Sequence, residues 1–108
     1  MTGEKAAPPV EHDEAAREFR VRVGAETGVL QYARTAERIT FLHTEVPVAL
    51  EGQGIGGALA RAGLDYARDQ KLAVVSRCPF VTAYLRRHPE YQPLLTPAER
   101  DRILGSPA

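Results

Sequence analysis

Apolar positions change their period once along this chain. From Arg17 to Val23 they alternate: Phe19, Val21 and Val23 lie on one side and Arg20 and Arg22 on the other, as in a half-buried strand. Gly24 to Gly28 reads as a hairpin turn, and Val29 to Arg34 as a second strand with Leu30 and Tyr32 sharing a face. After a short turn, Ile39 to Val46 is a third strand. Short connections make the three an antiparallel meander. Beyond Pro47 the period becomes helical: Ile55, Leu59, Ala62 and Tyr66 form one stripe, predicting a helix from about Gly54 to Asp69. The apolar run Leu72 to Ser76 reads as a strand buried on both faces, hence a parallel one closing a β-α-β crossover, expected to be right-handed. A second helix starts near Pro79, uses Phe80, Val81, Tyr84 and Leu85 as its apolar face, and stops at His88-Pro89.

The expected fold is α/β: a small mixed sheet with an antiparallel meander, a β-α-β crossover and a second helix. Residues 1–16 read as a flexible tail, 17–95 as the folded domain, and 96–108 as a helix-like segment and tail whose plainer reading is a solvated terminal helix. With 108 residues, 44% hydrophobic and 26% charged, the chain is expected to be one globular domain. Fourteen basic and fourteen acidic residues cancel, which removes any global pull toward nucleic acid or a membrane surface. No apolar run approaches a membrane span and no signal peptide is recognisable, so a cytoplasmic location is expected. One cysteine excludes an intramolecular disulfide, and no Cys/His cluster has zinc-ligand spacing.

Candidate chemistry begins with the glycines. Five of nine fall between positions 52 and 63, four of them at the entrance to the first helix. Amides of a first helical turn lack intrahelical partners and, with the helix dipole, attract anions, so Gln53, Gly54, Ile55, Gly56, Gly57 and Ala58 could cradle a pyrophosphate by backbone alone. The plainer alternative is a turn that lets strand and helix pack closely. A Walker A loop would need Gly-Lys-Ser/Thr, whereas the chain has Gly56-Gly57-Ala58. Gly52, Gly54 and Gly57 match the dinucleotide fingerprint, but the acid ~20 residues on is missing and the chain is too short for a doubly wound domain. Coenzyme A, with its pyrophosphate at the helix start and its pantetheine arm beside the preceding strand, is the remaining candidate.

The segment Val46-Pro47 followed by Glu51-Gly52-Gln53-Gly54-Ile55-Gly56-Gly57-Ala58-Leu59 resembles the acetyl-CoA-binding segment of GCN5-related N-acetyltransferases. The family pattern has Arg or Gln where this chain has Glu51. Leu42-His43-Thr44-Glu45-Val46-Pro47, the glycine segment, Cys78-Pro79-Phe80-Val81, Tyr84 and His88-Pro89-Glu90-Tyr91 follow in order across about residues 17–95. Together they resemble the small single-domain branch of that family. The resemblance implies a minimal acetyltransferase fold that binds acetyl-CoA or coenzyme A, and transfer of an acetyl group to an amine acceptor, with proteins and peptides among the candidates. Val46, Tyr84 and Arg87 join the residues expected to bind the cofactor.

Acetyl transfer to an amine needs a path for the amine proton and a proton for the leaving thiolate, or else a nucleophile for a covalent route. Glu45 and His43, two apart on the third strand and expected to share a face with Ile39 and Phe41, are candidates for the proton path. Both could equally be ordinary strand-end polar residues. Cys78 lies near the start of the second helix, beside Arg77, where a thiol pKa is lowered; it is a candidate nucleophile, a shaper of the acetyl pocket, or a buried filler. Tyr84 and Tyr91 could protonate a thiolate, though Tyr84 also fits the core and Tyr91 could lock its turn. Arg61, Arg68, Lys71, Arg77, Arg86 and Arg87 outnumber Asp65 and Asp69 between positions 61 and 87, which suits a polyanion and equally suits a solvated helix face. Larger members of the resembling family wall the acceptor site with helices between the first two strands. This chain has only GAETG there, so its acceptor site is expected to be open or completed by another chain. Two rivals to an enzyme therefore stand: a coenzyme A-binding module without turnover, and an interaction domain whose glycines serve packing alone.

Overall fold

In a computed structural model, which describes residues 9–105, five strands form one sheet in the order β1-β2-β3-β4-β5. They are β1 (Glu11–Asp13), β2 (Glu18–Val23), β3 (Glu26–Arg34), β4 (Arg38–Glu45) and β5 (Ala73–Ser76). The first four pair antiparallel and β4–β5 is parallel, with α1 (Ile55–Asp69) as the crossover. Helix α2 (Pro79–Arg87), an irregular helical stretch (Pro89–Leu94) and α3 (Pro97–Leu104) complete the chain. The mixed sheet with a meander, a β-α-β unit and a second helix is the expected α/β fold.

Alternation decides which face is covered. Phe19 and Val21 of β2, Leu30 and Tyr32 of β3, Ile39 and Phe41 of β4 and Val74 of β5 are buried beneath Leu59, Leu64 and Ala67 of α1 and Val81 and Leu85 of α2. Gly63 lets α1 approach the sheet: a Cβ there would lie 2.7 Å from the Phe41 ring and 3.2 Å from Leu30. On the other face Arg20, Thr27, Gln31, Arg38, His43 and Glu45 are at most half-buried. Among the described residues, none on that face is buried, so the sheet is covered on one side only. β5 is parallel as expected but not buried on both faces, because Ala73 and Val75 lie half-buried on the uncovered side while Val74 and Ser76 are buried.

Three local features differ from the sequence reading. Val23 pairs with Glu26, so the hairpin loop is only Gly24-Ala25, and Glu26 to Gly28 continue the ladder. A positive φ of 61° at Gly24 alone is what a type II′ turn requires of its first residue. Second, Glu11–Asp13, assigned to a tail by their weak periodicity, add β1 to the sheet; residues 1–8 of that tail lie outside the described residues. Third, α3 is docked: Ile103 is buried and Leu95 bridges to Val74 at the outer edge of β5. Residues 106–108 also lie outside the described residues.

The packing of β1 has a measurable pH consequence. His12 stacks on Phe19 with ring centroids 4.1 Å apart, meets Tyr66 edge-on, and lies 2.6 Å from the Tyr32 hydroxyl through Nε2. Burial holds its pKa below 6.5, with Glu14 and Asp13 opposing that shift. The unfolded chain therefore takes up this proton first. Stability from His12 is present in full above pH 6.5 and is lost as pH falls through the folded value. Asp13 and Glu99, whose pKa values lie below 3.8 and 4.5, titrate under more acidic conditions. Urea unfolding at pH 8 and pH 5.5 should register a loss of stability at the lower pH, and His12→Gln should flatten that difference.

Candidate functional site

The entrance to α1 differs from an ordinary helix start. Its N-cap, Gly54, has no side chain, sits at φ 76° and is preceded by Gly52 at φ 83°. The first intrahelical bond is donated by Ala58 to Gly54, so the amides of Ile55, Gly56 and Gly57 lack helical acceptors. The first turn carries no acidic residue. The positive end of a fifteen-residue helix is thus left without a capping side chain.

The glycines divide by task. Gly52 and Gly54 supply left-handed backbone, and a Cβ at either would meet nothing within 4 Å. Gly56 instead receives the Phe80 ring of α2, whose Cζ would lie 2.7 Å from an added Cβ. Close packing therefore accounts for Gly56, while the glycines with positive φ shape the loop.

A second opening lies between β4 and β5. Their pairing runs from Arg38↔Ala73 to Phe41↔Ser76, and the last bond is donated by Arg77 N–H to Phe41. β4 continues to Glu45 against β3, whereas the chain after β5 turns into α2 with Cys78 as N-cap. The strands therefore part in a wedge. A register shift in β4 sharpens it: Gln31 pairs with His43 and Tyr32 with Phe41, so Leu42 is an extra, bulged residue. The bulge reverses the alternation beyond it. Thr44, opposite Leu30, returns to the helix-covered side, where its Oγ1 lies 3.1 Å from Cys78 Sγ. His43 and Glu45 remain exposed on the open face. The expectation that they share a face with Ile39 and Phe41 is corrected here, because strict alternation cannot anticipate an inserted residue.

Two clefts flank the α1 entrance. One, of about 390 Å³, is lined by Thr44, Val46, Leu50, Glu51, Gly57 and Phe80. The other, of about 450 Å³, is lined by Val10, Gly54, Ala58, Arg61, Ala62 and Tyr84. Gly54 and Gly57 border both. Val46, Gly54, Gly56, Gly57, Ala58 and Tyr84 thus gather around the helix start, as the sequence leads one to expect. Ile55 is core, Gln53 is exposed with its side-chain amide donating to Ala49, and Arg87 is exposed in the last turn of α2; none of their placements is the same, and Gln53 and Arg87 line neither cleft.

Cys78 is 2% exposed and lies behind Thr44 rather than at the wedge surface. Tyr84 is buried against His88, with ring centroids 3.7 Å apart, and lines the larger cleft together with Arg61. Tyr91 is locked: its hydroxyl donates to Asp65 of α1 at 2.7 Å, and burial together with that bond pushes its pKa up to about 12. Thr44 and Arg61 border the clefts without having been singled out for chemistry by the sequence. Only the bulge reveals Thr44, whereas Arg61 was visible as part of the basic run. Among the described residues, no group of three His, Cys, Asp or Glu could hold a metal ion, and no helix is long and apolar enough to cross a membrane.

Comparison with known proteins bears on the family and the fold. Residues 18–94 match the family described as GCN5-related N-acetyl-transferase. The chain is 39% identical over 83 residues to Protein NATD1 of Homo sapiens, covering 74% of each chain. It is equally similar to Protein NATD1 of Gallus gallus, at 39% over 83 residues, covering 74% of this chain and 76% of that protein. The solution NMR structure of a GCN5-like candidate N-acetyltransferase from Staphylococcus aureus superposes with a TM-score of 0.63 at 24% identity, covering 85% of this chain and 91% of that one; this likeness speaks to the fold. With a family match spanning most of the folded chain, the protein belongs to the GCN5-related N-acetyltransferase family.

Proposed function

We propose that the protein is an acetyl-CoA-dependent N-acetyltransferase, with the open α1 entrance binding the pyrophosphate of coenzyme A. The observation that carries this reading is the uncapped helix start between two clefts, next to a wedge in the sheet. The donor set fits the group. Three free amides at the positive end of a helix suit a pyrophosphate, and the cleft through Val46 and Thr44 runs along the edge of β4 that β5 leaves free beyond Phe41. An amide-bearing pantetheine arm could continue the β ladder there. Arg61, at the opposite cleft, offers a cation to the nucleotide end. Glu51 is exposed at the rim, so its charge can stay in water.

When bound, acetyl-CoA supplies an activated acetyl group at the wedge. The wedge is open to the uncovered face, where an amine can approach. His43 and Glu45 on that face are placed to accept the proton the amine loses, directly or through water. Thr44 and Cys78, hydrogen-bonded on the helix side, are placed to return a proton to the departing sulfur. The acceptor is an amine whose carrier is large enough to cover the uncovered face, as a protein or peptide would be. A non-catalytic coenzyme A-binding module is the second reading, favoured by the absence of a helical wall on that face among the described residues.

Calorimetric titration of the full chain with acetyl-CoA, followed by assays of thiol release with amine and peptide panels, tests both readings. Micromolar binding, ~8 kcal/mol, together with acceptor-dependent thiol release is expected. Glu45→Gln should lower turnover and leave affinity within about tenfold. Binding without release from any acceptor would favour the module, and no binding by folded protein would overturn both.

A further inference from the structure

The outer edge of β5 is completed by side chains instead of a strand. Leu95 bridges to Val74 and Thr96 N–H donates to Val74, as if a sixth strand were starting. The chain then leaves the sheet, because Thr96 caps α3 by accepting the Glu99 amide. At the next outward-facing position, Ser76, the missing rungs are replaced. Ser76 N–H donates to Glu99 Oε1 at 3.0 Å, and Arg102 Nη2 donates to the Ser76 carbonyl at 2.7 Å. Glu99 and Arg102 are themselves joined by two bonds, of 3.0 and 2.8 Å. Such a fork holds the backbone on both its donor and its acceptor.

What Ser76 holds in turn is the corner of the wedge. It is 1% exposed, and its hydroxyl donates to the Cys78 carbonyl at 3.1 Å and pairs with Thr82 Oγ1 at 2.9 Å. The Cys78 carbonyl also accepts from Thr82 N–H, forming the first turn of α2. Cys78 Sγ then meets Thr44. A continuous set of bonds runs from α3 to the thiol and the bulged strand.

We propose that the Glu99–Arg102 pair is a positioning device: by holding Ser76 from the sheet edge it sets the placement of the Cys78 thiol behind Thr44 and keeps it shielded from solvent. Its consequence for acetyl transfer rests on the function proposed above; its consequence for the thiol does not. Cys78 is the only cysteine in the chain, so its modification by 5,5′-dithiobis(2-nitrobenzoate) reports on this corner alone. The experiment compares the full-length wild type with Arg102→Gln, Arg102→Lys and Glu99→Gln. Ile103→Val serves as control, since it perturbs the buried side of α3 and leaves the Ser76 contacts intact. Urea unfolding gives the stability of each variant.

Arg102→Gln and Glu99→Gln are expected to raise the modification rate at least tenfold beyond what their change in global stability accounts for. Arg102→Lys should recover part of that change, and Ile103→Val should follow global stability only. In acetyl transfer, Arg102→Gln should lower kcat with KM for acetyl-CoA unchanged. Modification rates that track global stability across all four variants would overturn the proposal, whether or not acetyl transfer is found. If the wild type neither binds nor turns over acetyl-CoA while the thiol rates separate as expected, the positioning role stands and the acetyltransferase reading falls.

Discussion

Gly54→Glu is expected to weaken acetyl-CoA binding at least about 100-fold, roughly 2.7 kcal/mol, while the chain stays folded. The fold tolerates the side chain because a Cβ at Gly54 meets nothing within 4 Å. Its cost is the left-handed backbone, φ 76°, at about 1–2 kcal/mol for a residue with a Cβ. Binding is another matter, since the new carboxylate stands at the positive end of α1, where it competes with and repels a pyrophosphate. Gly54→Asn separates the two effects. Asparagine visits left-handed conformations and carries no charge, so it should retain affinity within about tenfold. Calorimetry with both variants, after unfolding curves establish that each is folded, makes the test. Wild-type affinity in a folded Gly54→Glu protein would move the anion site away from this helix.

The largest effect on stability is expected at Phe41. Its ring is fully buried, lies on β4 between Tyr32 of β3 and Ser76 of β5, and faces the backbone of α1 at Gly63. Phe41→Ala should cost about 3–5 kcal/mol, because a cavity opens between sheet and helix and neither rigid layer can collapse into it. That is a large share of the stability of a domain this size. Gly63→Ala probes the same contact from the other side. Alanine is the better helix former by about 1 kcal/mol, yet its methyl would stand 2.7 Å from a ring with no free space to move into. Overpacking costs about 1–3 kcal/mol, so the variant should lose stability despite the helix propensity. Phe41→Leu in the Gly63→Ala background should recover part of the loss. Urea midpoints for the two single variants and the pair would measure this coupling.

The meander, the crossover helix and α2 were legible because their signals are local. Phe19, Val21, Leu30 and Tyr32 alternate, Ile55, Leu59, Ala62 and Tyr66 follow helical spacing, and Pro79 and His88-Pro89 bracket α2. The buried stripe of α1 is slightly rotated from that spacing, since Ala62 and Tyr66 are half-buried and Ala60, Leu64 and Ala67 complete the buried face. The features that escaped depend on contacts between distant residues. Leu42 looks like any strand residue, and only pairing of β4 with β3 makes it a bulge that exchanges the faces of His43 and Thr44. The glycine cluster signalled a close approach, but whether to Phe80 or to a ligand depends on α2, which arrives more than twenty residues later. Glu11–Asp13 have no amphipathic pattern because an edge strand of three residues buries little, apart from the His12 ring. Glu99 and Arg102 belong to the run that reads as a solvated terminal helix, and only the fold brings Ser76 between them and the thiol.

The sheet's edges also bear on how the chain behaves at high concentration. Unpaired backbone at a sheet edge invites a strand from another molecule. Here β1 offers only three residues, and the rim of β5 is occupied by Leu95, Thr96, Glu99 and Arg102. The stretch of β4 beyond Phe41 is an open run, as is Val21 to Val23 of β2 beyond the end of β1. The groups that would receive a pantetheine arm are therefore also those on which a stray β-strand could nucleate an aggregate. Occupancy by ligand would close that template as well as stabilise the native state by mass action, so the loaded protein should remain dispersed at concentrations where the empty protein begins to self-associate.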